Sequence, residues 1–225
     1  MNEIIPAVLE DSYDAVSDRL AALSGDYAQP LTVQIDVCDG QFVKRRTWPF
    51  YPRDRARFAQ IVKGDEGLPQ WQDFNFQIDL MVQEPESHIS SWLAAGASSV
   101  VVHLESRHDW AAVMDTVGGA VELGLAIDLD PPWERVHAAL VRVDFIQIMG
   151  IAHLGVQGEE LDDRVYDVIK KIRAEFPDAT IQIDGGVRLD NAGTLLDAGA
   201  DRLIVGSGIV HANSPRQALK DFQNV

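Results

Sequence analysis

The chain has 225 residues, a formal net charge of -16, 46% hydrophobic and 24% charged residues, and one cysteine, Cys38. This ordinary globular composition with a strong acidic excess argues against nucleic acid and anionic membrane surfaces as partners, because both are polyanions. A single cysteine leaves no internal disulfide, no apolar run reaches the roughly 18 residues of a membrane span, and the first residues lack a basic, cleavable leader, so a cytoplasmic location is expected.

In chain order, short apolar runs predict strands near 3–9, 31–38, 74–82, 98–105, 125–130, 144–149, 180–184 and 202–206. Helical patterns alternate with them near 12–24, 53–63, 85–96, 109–123, 132–142, 162–176, 190–199 and 214–223. Strand-then-helix alternation implies parallel strands joined by crossover helices. Eight such units in one chain suit a single (β/α)8 barrel spanning residues 1–225. The competing doubly wound open sheet lacks its GxGxxG first turn. Pro85 opens a helix, and LAAGAS and LDAGAD each close one at a glycine. The connection over 40–53 is longer than a usual strand-to-helix loop, and such loops are often functional.

One tripeptide, QID, recurs as Gln34-Ile35-Asp36, Gln77-Ile78-Asp79 and Gln182-Ile183-Asp184. Side chains two apart on a strand share a face. In a barrel the isoleucines face the helices, and Gln and Asp face the axis. The aspartates lie at the strands' C-terminal ends, where barrel active sites are built. Asp36, Asp79 and Asp184 are therefore expected to converge at one mouth, with His103, Glu105, Asp128, Asp130 and Met149 on neighbouring strands. Carboxylates crowded in a desolvated mouth must bind a cation, share a proton or shift pKa. The competing reading of each aspartate is a loop or helix cap, and that of His103 is a hydrogen-bonded interior residue.

DGGV follows the seventh strand and VGSGIV the eighth. Glycines there let backbone N–H groups approach an anion, and these two loops are the frequent phosphate site of such barrels. Gly185, Gly186, Gly206 and Ser207 are the candidates, and MGIAHLGVQGEE brings Gly155 as a further loop contact.

The segments IIPAVL, DVCDGQFV, DLMVQEPESHISSWLAAGA, VHLE, IQIMGI, IDGGV, DAGAD and LIVGSGI, in this order, resemble the ribulose-phosphate 3-epimerase family along nearly the whole chain. The resemblance implies a ribulose-phosphate-binding barrel that interconverts D-ribulose 5-phosphate and D-xylulose 5-phosphate. It implies acid–base work by Asp36 and Asp184, a divalent metal, a small phosphorylated sugar as partner, and a methionine cap partly kept as Met81 and Met149. A homo-oligomer is implied by family analogy alone.

The departures fall on the metal positions. The family's His, Asp, His, Asp set reads Gln34, Asp36, Asp79, Asp184 here. The first-strand serine is Ala7, the third methionine is Cys38, and the sixth-loop NPGFGGQ is AHLGVQG. In one reading the metal remains, and its all-oxygen ligand set suits Mg2+ or Mn2+ better than Zn2+. In the other no metal binds tightly, and His103, His153 or the Lys44–Arg46 cluster supplies the electrophile; that basic cluster otherwise reads as a solvated loop face. Two further functions compete: another phosphosugar enzyme on the same barrel, or a silent barrel that binds a phosphometabolite or partner. The hexulose-phosphate synthase and ketogulonate-phosphate decarboxylase group carries Asp-x-Lys-x-x-Asp on its third strand, and DLMVQE lacks that lysine.

Overall fold

The computed structural model describes residues 2–225. The strands are β1 (Glu3–Val8), β2 (Leu31–Cys38), β3 (Phe74–Met81), β4 (Ala97–His103), β5 (Glu122–Ile127), β6 (Phe145–Met149), β7 (Thr180–Asp184) and β8 (Arg202–Val205). They close into one barrel in sequence order, with β1 paired parallel to β8. Helices α1 (Tyr13–Leu23), α2 (Arg55–Lys63), α3 (Glu86–Ala94), α4 (Trp110–Val117), α5 (Trp133–Leu140), α6 (Arg164–Glu175) and α7 (Leu189–Ala198) fill the crossovers. The short α8 (Ser207–Val210) and then α9 (Pro215–Gln223) follow β8. Among the described residues no helix is long and apolar enough to cross a membrane.

The expected (β/α)8 architecture is what the chain adopts. Three details differ. β5 begins three residues before the expected 125, because Glu122 and Leu123 already pair with Ser99 and Val100 of β4. Asp128 and Asp130 are left beyond its end, in the loop. α4 stops at Val117 because Gly118 and Gly119 turn left-handed, at φ 56° and 71°, a conformation glycine adopts without Cβ strain. α8 was not expected from the sequence.

The two-residue strand period sorts the side chains as expected. Ile35, Ile78 and Ile183 are buried in the layer between sheet and helices. Full burial of each such side chain is worth about 1.5–3 kcal/mol. Their neighbours Gln34, Gln77 and Gln182 point inward and are 0–1% exposed. At the N-terminal end of the barrel Arg202 pairs with Glu3 at 3.3 Å and Glu122 at 3.2 Å. Above it Phe145 fills the axis. Gly124 makes that possible, since a Cβ there would lie 2.4 Å from the Phe145 ring.

The 40–53 connection folds over the opposite, C-terminal mouth. It is pinned by Trp48, which is fully buried and packs edge-on against Tyr13, Phe58 and Trp92 with ring centroids 5.5–5.8 Å apart. Phe42, Val43 and Leu154 pack on Leu9, Cys38 and Met81 beside the mouth.

Candidate active site

Strand register delivers the acids. Asp36 and Asp79 are direct partners across β2 and β3, and Asp184 lies opposite Met149 across β6 and β7. One carboxylate oxygen from each of Asp36, Asp79 and Asp184 falls within 4.8 Å of the others. A cavity of about 460 Å3 opens above them, lined by Asp36 and Asp184. The same wall carries Met81, Met149, Gly155, Gly185, Gly186, Gly206 and Ser207. Asp79 and Gln34 are fully buried beneath this floor and do not line the cavity.

Electrostatics follow from burial and crowding. Burial first, then the charges of Asp184 and Asp79, hold Asp36 well above the ordinary carboxylate range, against a lowering hydrogen bond from Gln34. Burial and the Asp79 charge push Asp184 up to about 7, with Gln34 and His103 pulling it back. His103 is fully buried with Nε2 2.8 Å from Asp79 Oδ1. Burial opposes its charged form, but the adjacent Asp79 carboxylate outweighs this and raises its pKa. It is thus partner to an acid, not a wall of the cavity. Burial also pushes the Cys38 thiol up, so it stays neutral and packs as a small apolar group.

The acids are also held by amides. Gln34 Nε2 donates to Asp36 Oδ1 at 2.8 Å and to Asp184 Oδ2 at 2.7 Å. Its Oε1 accepts from Gln77 Nε2 at 2.8 Å, its register partner on β3. On the far side Gln147 Nε2 lies 3.1 Å from Asp79 Oδ2 and 3.2 Å from Asp184 Oδ2. Gln147 was missed in the sequence, although it stands two residues before Met149 and so shares its inward face.

These contacts decide what a metal would find. Three convergent carboxylates fit a hard divalent cation in charge and donor type. Gln34 departs from its expected place in the ligand set. Its amide nitrogen faces the acids and its oxygen is taken by Gln77, so it acts as their hydrogen-bond donor. The fitting set is Asp36, Asp79 and Asp184.

The other expected polar groups at this mouth lie elsewhere. Glu105, Asp128 and Asp130 do not line the cavity; Glu105 Oε1 instead lies 3.4 Å from the Asp128 backbone nitrogen. Of the basic cluster, Arg45 pairs with Asp11 at 3.2 Å, Arg46 donates to the Asp39 carbonyl at 3.4 Å and Lys44 is exposed, so none reaches the cavity. His153 is exposed and pairs with Glu159 at 2.8 Å.

The glycine loops are tightly built. Gly186 has φ 72°, and a Cβ there would lie 2.5 Å from Leu161 Cα. At Gly206 a Cβ would lie 2.6 Å from the Gln157 amide of the sixth loop, which therefore packs directly on the eighth. Among the cavity-lining residues the acids are Asp36, Glu159, Asp184 and Asp221, and the single cation is Arg188. The signal for Arg188 was its position just after DGGV.

The sequence profile of the ribulose-phosphate 3 epimerase family matches residues 3–210. A ribulose-phosphate 3-epimerase of Bacillus subtilis is 23% identical over 229 residues, covering 99% of this chain and 99% of that protein. One of Rhodobacter capsulatus is 27% identical, covering 94% of this chain and 87% of that protein. Among solved structures, 3-hexulose-6-phosphate synthase from Salmonella typhimurium superposes with a TM-score of 0.69 at 16% identity, covering 99% of this chain and 97% of that one. KGPDC from Streptococcus mutans superposes with a TM-score of 0.68 at 12% identity, covering 100% and 96%. These structural likenesses carry the barrel fold.

Proposed function

Because the chain belongs to the ribulose-phosphate 3-epimerase family, we propose that it is an isomerase interconverting D-ribulose 5-phosphate and D-xylulose 5-phosphate by proton transfer at C3. One observation carries this reading: Asp36 and Asp184 line the same cavity as the glycine loops after β7 and β8.

Inversion at a carbon next to a carbonyl needs one group to remove a proton and another to return one on the opposite face. Asp36 and Asp184 are the two groups. Both carboxyls are raised in pKa, and neither can ionise freely beside the other and Asp79. The charged member of the pair takes the C3 proton and the neutral member gives one back, the division of labour that crowded carboxylates permit. Gln34 donates to both, so it keeps their oxygens fixed while the proton count changes. Met81 and Met149 present apolar, deformable surface to the planar intermediate and keep water from its carbon.

The phosphate rests on the backbone at Gly185, Gly186, Gly206 and Ser207, with Gly155 contributed by the sixth loop. Arg188 supplies the positive charge at that end. A divalent ion held by Asp36, Asp79 and Asp184 would act as a Lewis acid for negative charge developing on the sugar oxygens, with Mg2+ or Mn2+ suited better than Zn2+ by three oxygen donors.

The test is incubation with D-ribulose 5-phosphate in deuterated water, with and without Mg2+, Mn2+ or Zn2+. Deuterium at C3 together with D-xylulose 5-phosphate is expected. Exchange without the second sugar would point to a different enolising enzyme, and no exchange under any metal would remove the epimerase reading.

A further inference from the structure

We propose that Gln147 is a positioning residue, whose amide nitrogen holds Asp184 against Asp79, and that Gln182 sets which end of that amide faces the acids. Gln147 is fully buried on β6, directly in register with Gln182 on β7. Its Nε2 lies between Asp79 Oδ2 and Asp184 Oδ2, at 3.1 and 3.2 Å, and 3.3 Å from Met149 Sδ. Its Oε1 accepts from Gln182 Nε2 at 2.5 Å. A flipped amide would set oxygen against two carboxylates and nitrogen against the Gln182 donor, so the flip is disfavoured at both ends.

Packing alone does not ask for an amide here. Phe145, Val101, Ala126 and Met149 form an apolar cluster inside the barrel around this level. A leucine would suit that neighbourhood, and an unpaired buried amide costs about 1–3 kcal/mol. What an amide adds is a donor toward acids that otherwise repel. The pattern is repeated on the other side, where Gln77 orients Gln34 and Gln34 donates to Asp36 and Asp184. Asp184 is thereby gripped from two directions. Gln147 does not line the cavity, so it acts on a sugar only through the carboxylates.

The kinetic consequence rests on the epimerase reading, and the structural one does not. Gln147→Leu is expected to lower kcat about 10–100-fold, the usual loss for a partner that orients a reacting or ligating group, with KM within about twofold. Gln182→Leu, which leaves Gln147 in place but frees its amide to turn, lowers kcat with KM again held. It tests the same claim if Gln147→Leu does not fold. In crystal structures of wild type and either variant at one pH, the Asp184 carboxylate is expected to move by about 1 Å, a misplacement large enough to cost about 100-fold. Unchanged kcat, or an Asp184 carboxylate still in place in both variants, overturns the proposal. If the wild-type protein itself fails to epimerise, the epimerase reading falls and the crystallographic comparison still decides the role of Gln147.

Discussion

Gln34 donates its amide Nε2 hydrogen to Asp184 Oδ2 across 2.7 Å, joining residues 150 positions apart in the chain. The same nitrogen reaches Asp36 at 2.8 Å, so one side chain ties together the two acids that line the cavity. Hydrogen bonds to a charged group contribute about 1.5–3 kcal/mol each, and their loss leaves Asp36 without this donor and Asp184 with the Gln147 amide alone. Gln34→Leu is therefore expected to cost about 2–4 kcal/mol of stability near neutral pH, read from urea unfolding. A loss under about 0.5 kcal/mol, the ordinary range of surface changes, would mean that the tie is not made.

Stability should depend on pH with a definite sign. Asp184 binds its proton up to about 7 in the folded protein but only to its ordinary value of 3.8 unfolded, and Asp36 is shifted in the same direction. The folded state therefore holds more protons between these limits, and its stability falls as pH rises through them. His103, also raised, adds to the same slope just above its ordinary value of 6.5. In chelator the melting temperature should drop from about pH 5 to about pH 8. Asp184→Asn should flatten that drop, and added Mn2+ should lift the melting temperature most at the high-pH end, where the acids are charged. A melting temperature that rises with pH in chelator would contradict these shifts.

At Gly186 the backbone φ of 72° and the 2.5 Å approach to Leu161 Cα leave no room for a side chain. Gly186→Ala should cost about 2–5 kcal/mol, combining left-handed strain with overpacking. In whatever fraction folds, KM for the sugar phosphate should rise, because the β7 loop proposed to receive the phosphate must shift. Thermal unfolding and steady-state kinetics check the two halves separately.

Among the described residues Arg188 is the one cation lining an otherwise acidic cavity. Its side chain is exposed, so salt screens whatever it contributes. Arg188→Gln should raise KM for the phosphorylated ketose about 3–10-fold at low ionic strength, less in high salt, with kcat held. An equal KM in variant and wild type at low salt would remove it from phosphate recognition.

Much of the barrel is legible in the sequence. Runs such as LTVQIDVC and FNFQIDLM signal strand through β-branched and apolar content, and the inward face of QID follows from the two-residue period alone. Boundaries were less legible. The end of α4 depended on two glycines adopting φ above zero, and the start of β5 on its pairing with β4. The candidate site divides the same way. Which residues share the mouth is a matter of strand position, and Asp36, Asp79, Asp184 and the glycine loops are brought together there. The facing of Gln34's amide is not local. It is set by Gln77 on one neighbouring strand and by Asp184 on a strand far along the chain, which is why Gln34 looked like a ligand and stands as a donor. Glu105, Asp128 and Asp130 show the converse, since a strand-end carboxylate reaches the cavity only if its strand stops at the right height.

The most direct measurement is C3 exchange by Asp184→Asn, which keeps the side chain's size but cannot carry the proton. With D-ribulose 5-phosphate in deuterated water, the wild-type protein should place deuterium at C3 and release D-xylulose 5-phosphate. The variant should do neither while still binding the sugar phosphate. Turnover at the wild-type rate in the variant would show that Asp184 carries no proton in the reaction, and the two-acid account would be wrong.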